Sequence, residues 1–235
     1  MDKRPVLTKE KILIKAIEIA DKGGITALSM RKLAGELNIQ AMSLYHHFCT
    51  KDELIAHMAD TLVANIDFGE DAASDWRTIM LCRATSAMAL FREHAWLPLL
   101  IDSHVQSGVK RLEYLNNYIG TLRNAGLPIE LALRVTSVID SYIYGYCRQL
   151  THVSDSEKSA EELAEDFSTG FDAADYPFLN EATSFVMAQG YDENADFLFG
   201  LKVILNGIGL ELESLASLTE AEGWKSGRKM TDPTA

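Results

Sequence analysis

In the stretch LTKEKILIKAIEIADKGG the apolar residues Ile12, Ala16, Ile19 and Ala20 recur at a spacing near 3.6, with Leu13 and Ile17 flanking them. That period specifies an amphipathic helix. Thr8 is placed to cap its start, and Gly23-Gly24 to end it. The same signals return at once. Ser29 precedes a segment whose inner residues are Met30, Leu33, Ala34 and Leu37, and Asn38 then occupies a turn position that tolerates positive φ. A short third helix is expected over Gln40 to His46. Thr50 opens a fourth, KDELIAHMADTLVANI, whose Asp52 and Glu53 suit the positive end of a helix dipole. Four helices thus fill the first 65 residues, the second and third joined by a turn of about four residues.

Beyond residue 66 the pattern stays helical and the helices lengthen. They are expected near 75–94, 96–105, 108–124, 128–150, 177–189 and 193–218, with Gly126-Leu127-Pro128 and Gly190 as stop signals. No convincing strand is present; YIYGY is β-rich in composition but lies inside a helical pattern. The stretch 154–175 carries eight acidic residues and one Lys. It reads as a mobile, solvated connection, with a helical turn or two around Glu161–Phe167. The fold class is therefore all-α. The organisation is a helix-turn-helix domain at 1–52, a connecting helix at 53–70, a larger helical domain at 71–220 and a frayed tail at 221–235.

Charge is unevenly spread. The chain totals −12, yet residues 1–65 hold nine Lys/Arg against eight Asp/Glu, so the remainder carries −13. Charges beyond a Debye length of about 8 Å are largely screened at physiological salt, so the acidic remainder does not veto contact between the first segment and a polyanion. The three cysteines, Cys49, Cys82 and Cys147, show no CxxC spacing. They read as small buried apolar residues rather than as disulfide or zinc ligands. No run of 18 apolar residues and no signal-peptide core occurs, which points to a cytoplasmic protein without membrane attachment.

The third helix carries the functional argument. A helix on such a scaffold can enter the major groove, where base edges present a readable donor and acceptor code. Gln40, Ala41, Ser43, Tyr45, His46 and His47 are expected to face out. Met42, Leu44 and Phe48 are expected to face in. Small Ala41 and Ser43 permit close approach, Gln40 can pair with a base edge, and Lys51 can meet a phosphate.

The run KILIKAIEIADKGGITALSMRKLAGELNIQAMSLYHHFCTKDELI resembles the DNA-binding domain of the tetracycline-repressor (TetR) family of bacterial transcription regulators. The matching positions are Gly24, Arg31, Leu33, Ala34, Leu44, Tyr45, His47, Phe48, Lys51 and Leu54. Asn38 departs from the family's usual Gly, a mild change at a positive-φ site. The resemblance implies that Arg31, Tyr45, His47 and Lys51 hold the DNA backbone, while Gln40, Ala41, Ser43 and His46 meet the bases.

The stretches LEYLNNYIGTLRNAGLPIELALRVTSVIDSYIYGY and ENADFLFGLKVILNGIGLELESL are similar, more weakly, to the C-terminal domain of the tetracycline repressors themselves. That similarity implies a homodimer on a pseudo-palindromic operator, released when a small molecule fills each C-terminal domain. The stripe Phe197, Leu201, Ile204, Ile208 and Leu212, with Gly200, Gly207 and Gly209 nearby, fits a helix packed against a partner protomer or against an intramolecular core.

On the helix PIELALRVTSVIDSYIYGYCRQ, Ser137, Asp140, Tyr144 and Arg148 form a polar stripe that reads either as a ligand wall or as a solvated face. Alignment with the repressors adds Arg83, Ala87, Asp102, Tyr118 and Gln149 as wall positions. Those repressors hold a magnesium–tetracycline chelate through a His and a Glu. Counting along the resemblance puts Asp102 and Gln149 there, and a neutral Gln is a weaker metal ligand. A different, partly apolar effector is expected. His104, near Asp102, is expected as a polar wall or surface residue, with a metal role as the alternative, and no metal or cofactor is assigned.

No GxSxG, P-loop, GxGxxG or HExxH pattern is present, so the chain is not expected to be an enzyme, although an all-α enzyme with a dispersed site remains the rival. An architectural DNA protein fits poorly with so acidic a C-terminal portion. The expected partners are double-stranded operator DNA, a small-molecule effector and a second copy of the chain.

Overall fold

Thr8 accepts a hydrogen bond from the Lys11 amide and Gly24, at φ 72°, stops the chain, so α1 spans Lys9–Gly23. The computed structural model describes residues 7–69, 75–101, 108–154 and 158–227, apart from the side chains of 99, 151–154, 215, 216 and 218–227. A 3-10 turn leads to α2 (Met30–Glu36), where the Ser29 hydroxyl accepts from the Lys32 amide. Asn38 adopts φ 54°, and the amides of Asn38 and Ile39 bond back to the carbonyls of Gly35 and Ala34. This tight exit leads into α3 (Ala41–Tyr45), which packs on α2. Thr50 then caps α4 (Lys51–Val63), while the Glu53 carboxylate takes the Cys49 amide. Ile12, Ala16, Leu33, Leu44, Phe48, Leu54 and Met58 close the core of this head.

The larger portion comprises α5 (Trp76–Glu93), α6 (Pro98–Ile101), α7 (Val109–Asn124), α8 (Ile129–Ser154), α9 (Ala160–Ser168), α10 (Pro177–Gln189) and α11 (Glu193–Gly227). All regular structure among the described residues is helical. α5 packs on α7, α8 and α11, α7 and α11 each pack on α8, and α4 packs on α7. One apolar cluster therefore runs from Ile12 in the head to Leu205 in α11. α6 starts at Pro98 rather than at the expected 96, and the expected stretch beyond Ile101, to 105, lies outside the described residues. In the acidic stretch expected as a connection, Ser159 and Glu162 form a reciprocal capping box that starts α9, and α9 packs on α10.

The structure decides between the two readings of the α11 stripe. The stripe begun by Phe197 and Leu201 faces the chain's own core, where both are buried and Ile204, Ile208 and Leu212 pack partly against the same cluster. Tyr142 stacks on Phe197 with ring centres 5.5 Å apart and donates to the Phe197 carbonyl at 2.9 Å. Gly200 leaves room for the Tyr142 hydroxyl and Gly209 for the Arg77 guanidinium, so both serve contacts within the chain. The face left open carries Phe199 (72% exposed), Val203 (57%) and Leu210 (68%).

Candidate nucleic-acid interface and ligand site

α3 is held from beneath by Leu44 and Phe48, both fully buried. The Phe48 ring meets His57 edge-on at 5.4 Å and lies under the Lys9 ammonium at 5.3 Å. Gln40, Tyr45 and His46 are exposed, as is Arg31 on α2, while Ala41, Ser43, His47 and Lys51 are half-buried. All eight expected contact residues thus lie on the head, at or near the surface beside α3. Met42, expected to face in, is 67% exposed instead. Five residues of helix bury only the Leu44 position fully, so its neighbour by two turns outward. Cys49, also expected to be buried, is exposed just past the C-terminal end of α3.

The second site gathers around Arg83 of α5. The residue is 1% exposed, its Nε donates to the Tyr114 hydroxyl at 2.7 Å, and its Nη2 donates to Asp140 at 2.6 Å and also reaches Tyr114. The guanidinium lies 3.8 Å from the Tyr118 ring centre. Burial works against the charged form, but the oxygens of Tyr118, Tyr114 and Asp140 outweigh it and raise Arg83 above its ordinary value. Burial pushes the Tyr114 hydroxyl up to about 12 and Tyr118 well above its usual range. At neutral pH the cluster therefore holds one guanidinium cation and two neutral phenols beside Asp140.

Of the expected wall residues, the structure brings Arg83, Tyr118 and Asp140 together. Ala87 is buried one turn along α5 from Arg83, and Tyr144 packs on Phe91, a further turn along the same helix, with ring centres 5.5 Å apart. Ser137, Arg148 and Gln149 are exposed on the outer face of α8, outside this cluster. Asp102 and His104 lie outside the described residues. Tyr114 was not expected; its spacing of four from Tyr118 on one helix was the available signal. Among the described residues no group of three His, Cys, Asp or Glu stands together as metal ligands. A separate cavity of about 390 Å³ lies by α9 and α10, lined by Phe167, Phe171, Tyr176 and Leu179, with Asp166 at its edge.

Two carboxylates join the head to the larger portion. Asp21, near the end of α1, takes the Trp96 indole N–H at 2.6 Å and pairs with His94 Nδ1 at 2.8 Å. His94 and Trp96 are both buried. Asp60 of α4 accepts from the Arg111 amide in the first turn of α7 at 2.8 Å. Gly108, at the cap position of α7, has no side chain to do this, and a β-carbon there would meet the Asp60 carboxylate. α7 is thus capped by another helix.

A helix-turn-helix head carried on a larger helical domain with a buried polar cluster defines a DNA-binding regulator. Residues 12–58 match the bacterial regulatory proteins of the tetR family, and residues 68–212 match the tetracyclin repressor-like C-terminal domain; the chain belongs to this family. It is 26% identical over 214 residues to the HTH-type transcriptional repressor DrrR1 of Streptomyces coeruleorubidus, covering 87% of this chain and 78% of that protein. With the class A tetracycline repressor from transposon 1721 of Escherichia coli it shares 25% over 207 residues, 86% of this chain and 90% of the relative. Among solved structures, ActR of Streptomyces coelicolor in complex with actinorhodin superposes with a TM-score of 0.71 at 25% identity, over 88% of this chain and 99% of that one. The relatives are named as regulators, which favours regulation over the enzymatic alternative. Among the described residues no helix is long and apolar enough to cross a membrane.

Proposed function

We propose that the chain is a ligand-responsive repressor that binds a palindromic operator as a homodimer in the cytoplasm and releases it when a small molecule occupies the Arg83 cluster. The observation that carries this reading is the physical continuity between the two sites. The reading head is tied through Asp21 and Asp60 to the helices that frame the cluster. A ligand that prefers one arrangement of α5, α7 and α8 then shifts the heads by its differential affinity for the two states. The ActR complex with actinorhodin supports a small-molecule role for the matching domain. The effector need not be magnesium–tetracycline: where the resemblance puts a carboxylate ligand of the metal, this chain has the neutral Gln149, a weaker metal ligand.

In this reading Gln40, Ala41, Ser43 and His46 meet base edges, while Arg31, Tyr45, His47 and Lys51 hold phosphates. The second copy packs on the open face of α11, Phe199, Val203 and Leu210, together with the exposed Leu133 and Val138 of α8. Ser137, Ser141, Gly145 and Gly207 are also exposed on these two helices and are small enough for close helix approach. The test is operator titration with purified chain, followed by size measurement of the complex. Two chains per duplex are expected, together with loss of operator binding when a thermal-shift hit from a compound library is added. One chain per duplex, or hits that never change operator affinity, would overturn the reading.

A further inference from the structure

α9 ends at Ser168 and Pro177 begins α10, so the chain turns back on itself between them. Three rings meet around that turn. Phe167 and Phe171 stand 5.7 Å apart at 61°, and Phe171 and Tyr176 stand 6.1 Å apart at 79°. Rings crossed this steeply do not cover one another's faces, and the faces become walls. With Leu179 they bound the cavity of about 390 Å³, and Asp166 stands at its edge. Every wall residue falls between 166 and 179, so the hairpin builds the cavity from its own residues. Phe167 is 58% exposed and Tyr176 53%, which leaves ring surface open to a ligand.

The charge around this cavity has one dominant sign. Residues 158–181 carry seven Asp/Glu and a single Lys. That Lys158 is paired with the Asp166 carboxylate. A negative potential gathers cations and turns away anions, an anionic lipid surface included. The walls then select the kind of cation. A primary ammonium or a guanidinium brings N–H donors that need acceptors. The side chains here offer it the Tyr176 hydroxyl and an Asp166 carboxylate that Lys158 already engages. An alkylated ammonium has no N–H to satisfy, and a ring face attracts its charge within about 6 Å of the ring centre. We propose that the α9–α10 hairpin holds a small, free organic cation with a quaternary ammonium head, seated between Phe167, Phe171 and Tyr176. The site shares no residue with the Arg83 cluster.

Choline, 3,3-dimethylbutan-1-ol and 3,3-dimethylbutanoate have nearly one shape and differ in charge. Each is titrated into the full chain at constant ionic strength and followed by ligand-observed NMR. Choline is expected to bind about fivefold or more tightly than the neutral alcohol, and the carboxylate to bind weakest. Phe171→Leu and Tyr176→Leu keep an apolar wall but remove a ring face, and each should cut the advantage of choline about threefold. Lys158→Met releases Asp166 and removes a competing cation, so choline should bind about threefold more tightly and the alcohol as before. Circular dichroism confirms that each variant is folded. If a ring variant does not fold, the other variants decide. An alcohol that binds as well as choline, a carboxylate that binds best, or no binding of choline would each overturn the proposal. So would a choline affinity left unchanged by the folded ring variants or by Lys158→Met.

Discussion

Asp60→Ala removes a side chain that caps α7 from another helix. In the structure Asp60 Oδ1 lies 2.8 Å from the Arg111 amide, the third residue of α7, and Gly108 has no side chain to replace it. Loss of an N-cap acceptor costs about 0.5–2 kcal/mol, and loss of an anion at a helix N-terminus adds about 0.3–1 kcal/mol. Together these are expected to take about 1–3 kcal/mol from stability in urea. Because the bond joins α4 to α7, the same change loosens the head on its support. Operator affinity should then fall by up to about tenfold, the equivalent of about 1.4 kcal/mol. Asp60→Asn keeps an acceptor and should lie between wild type and Asp60→Ala. The assay is fluorescence anisotropy on a selected operator duplex at fixed salt, paired with urea unfolding of each variant. Unchanged unfolding would refute the cap. Lower stability with unchanged operator affinity would refute the coupling through Asp60.

Lys51 begins α4 beside the reading helix, so Lys51→Ala should flatten the slope of log affinity against log salt by about 0.9; an identical slope would remove Lys51 from the phosphate contacts. Leu44 is fully buried under α3, and Leu44→Ala should cost about 2–5 kcal/mol of stability by calorimetry or denaturant. Val203→Glu puts a charge in the middle of the open α11 face; sedimentation should show a folded monomer for the variant and a dimer for wild type. Tyr114 has its folded value raised to about 12 from an ordinary 10.0. Its contribution to stability is full below pH 10 and is lost as pH rises toward 12. Tyr114→Phe should flatten that alkaline decline, as read from unfolding midpoints between pH 9 and 12.

The head was legible because its information is local. Caps at Thr8, Ser29 and Thr50, the positive φ at Asn38 and the inward Leu44 and Phe48 each depend on residues a turn or two away. Met42 was misjudged because a five-residue helix is too short for periodicity to separate its faces. The stripe on α11 was legible as apolar, but period alone does not say whose core it enters; Tyr142 and Phe197 decide that across a separation of 55 residues. The Arg83–Asp140 pair spans 57 residues, and the Asp21 and Asp60 links span 73 to 75 and 51. No pattern along the chain marks such pairs, because their partners meet only once the helices have packed.

Selection of operator sequences from random duplexes by the full chain tests the central claim most directly. The account predicts an enriched motif of two inverted half-sites with centres about one helical turn, roughly 34 Å, apart. It also predicts that Gln40→Ala or Ser43→Ala alters the preferred bases within each half-site. No enrichment above non-specific binding, a single unpaired half-site, or an identical motif from both variants would contradict it.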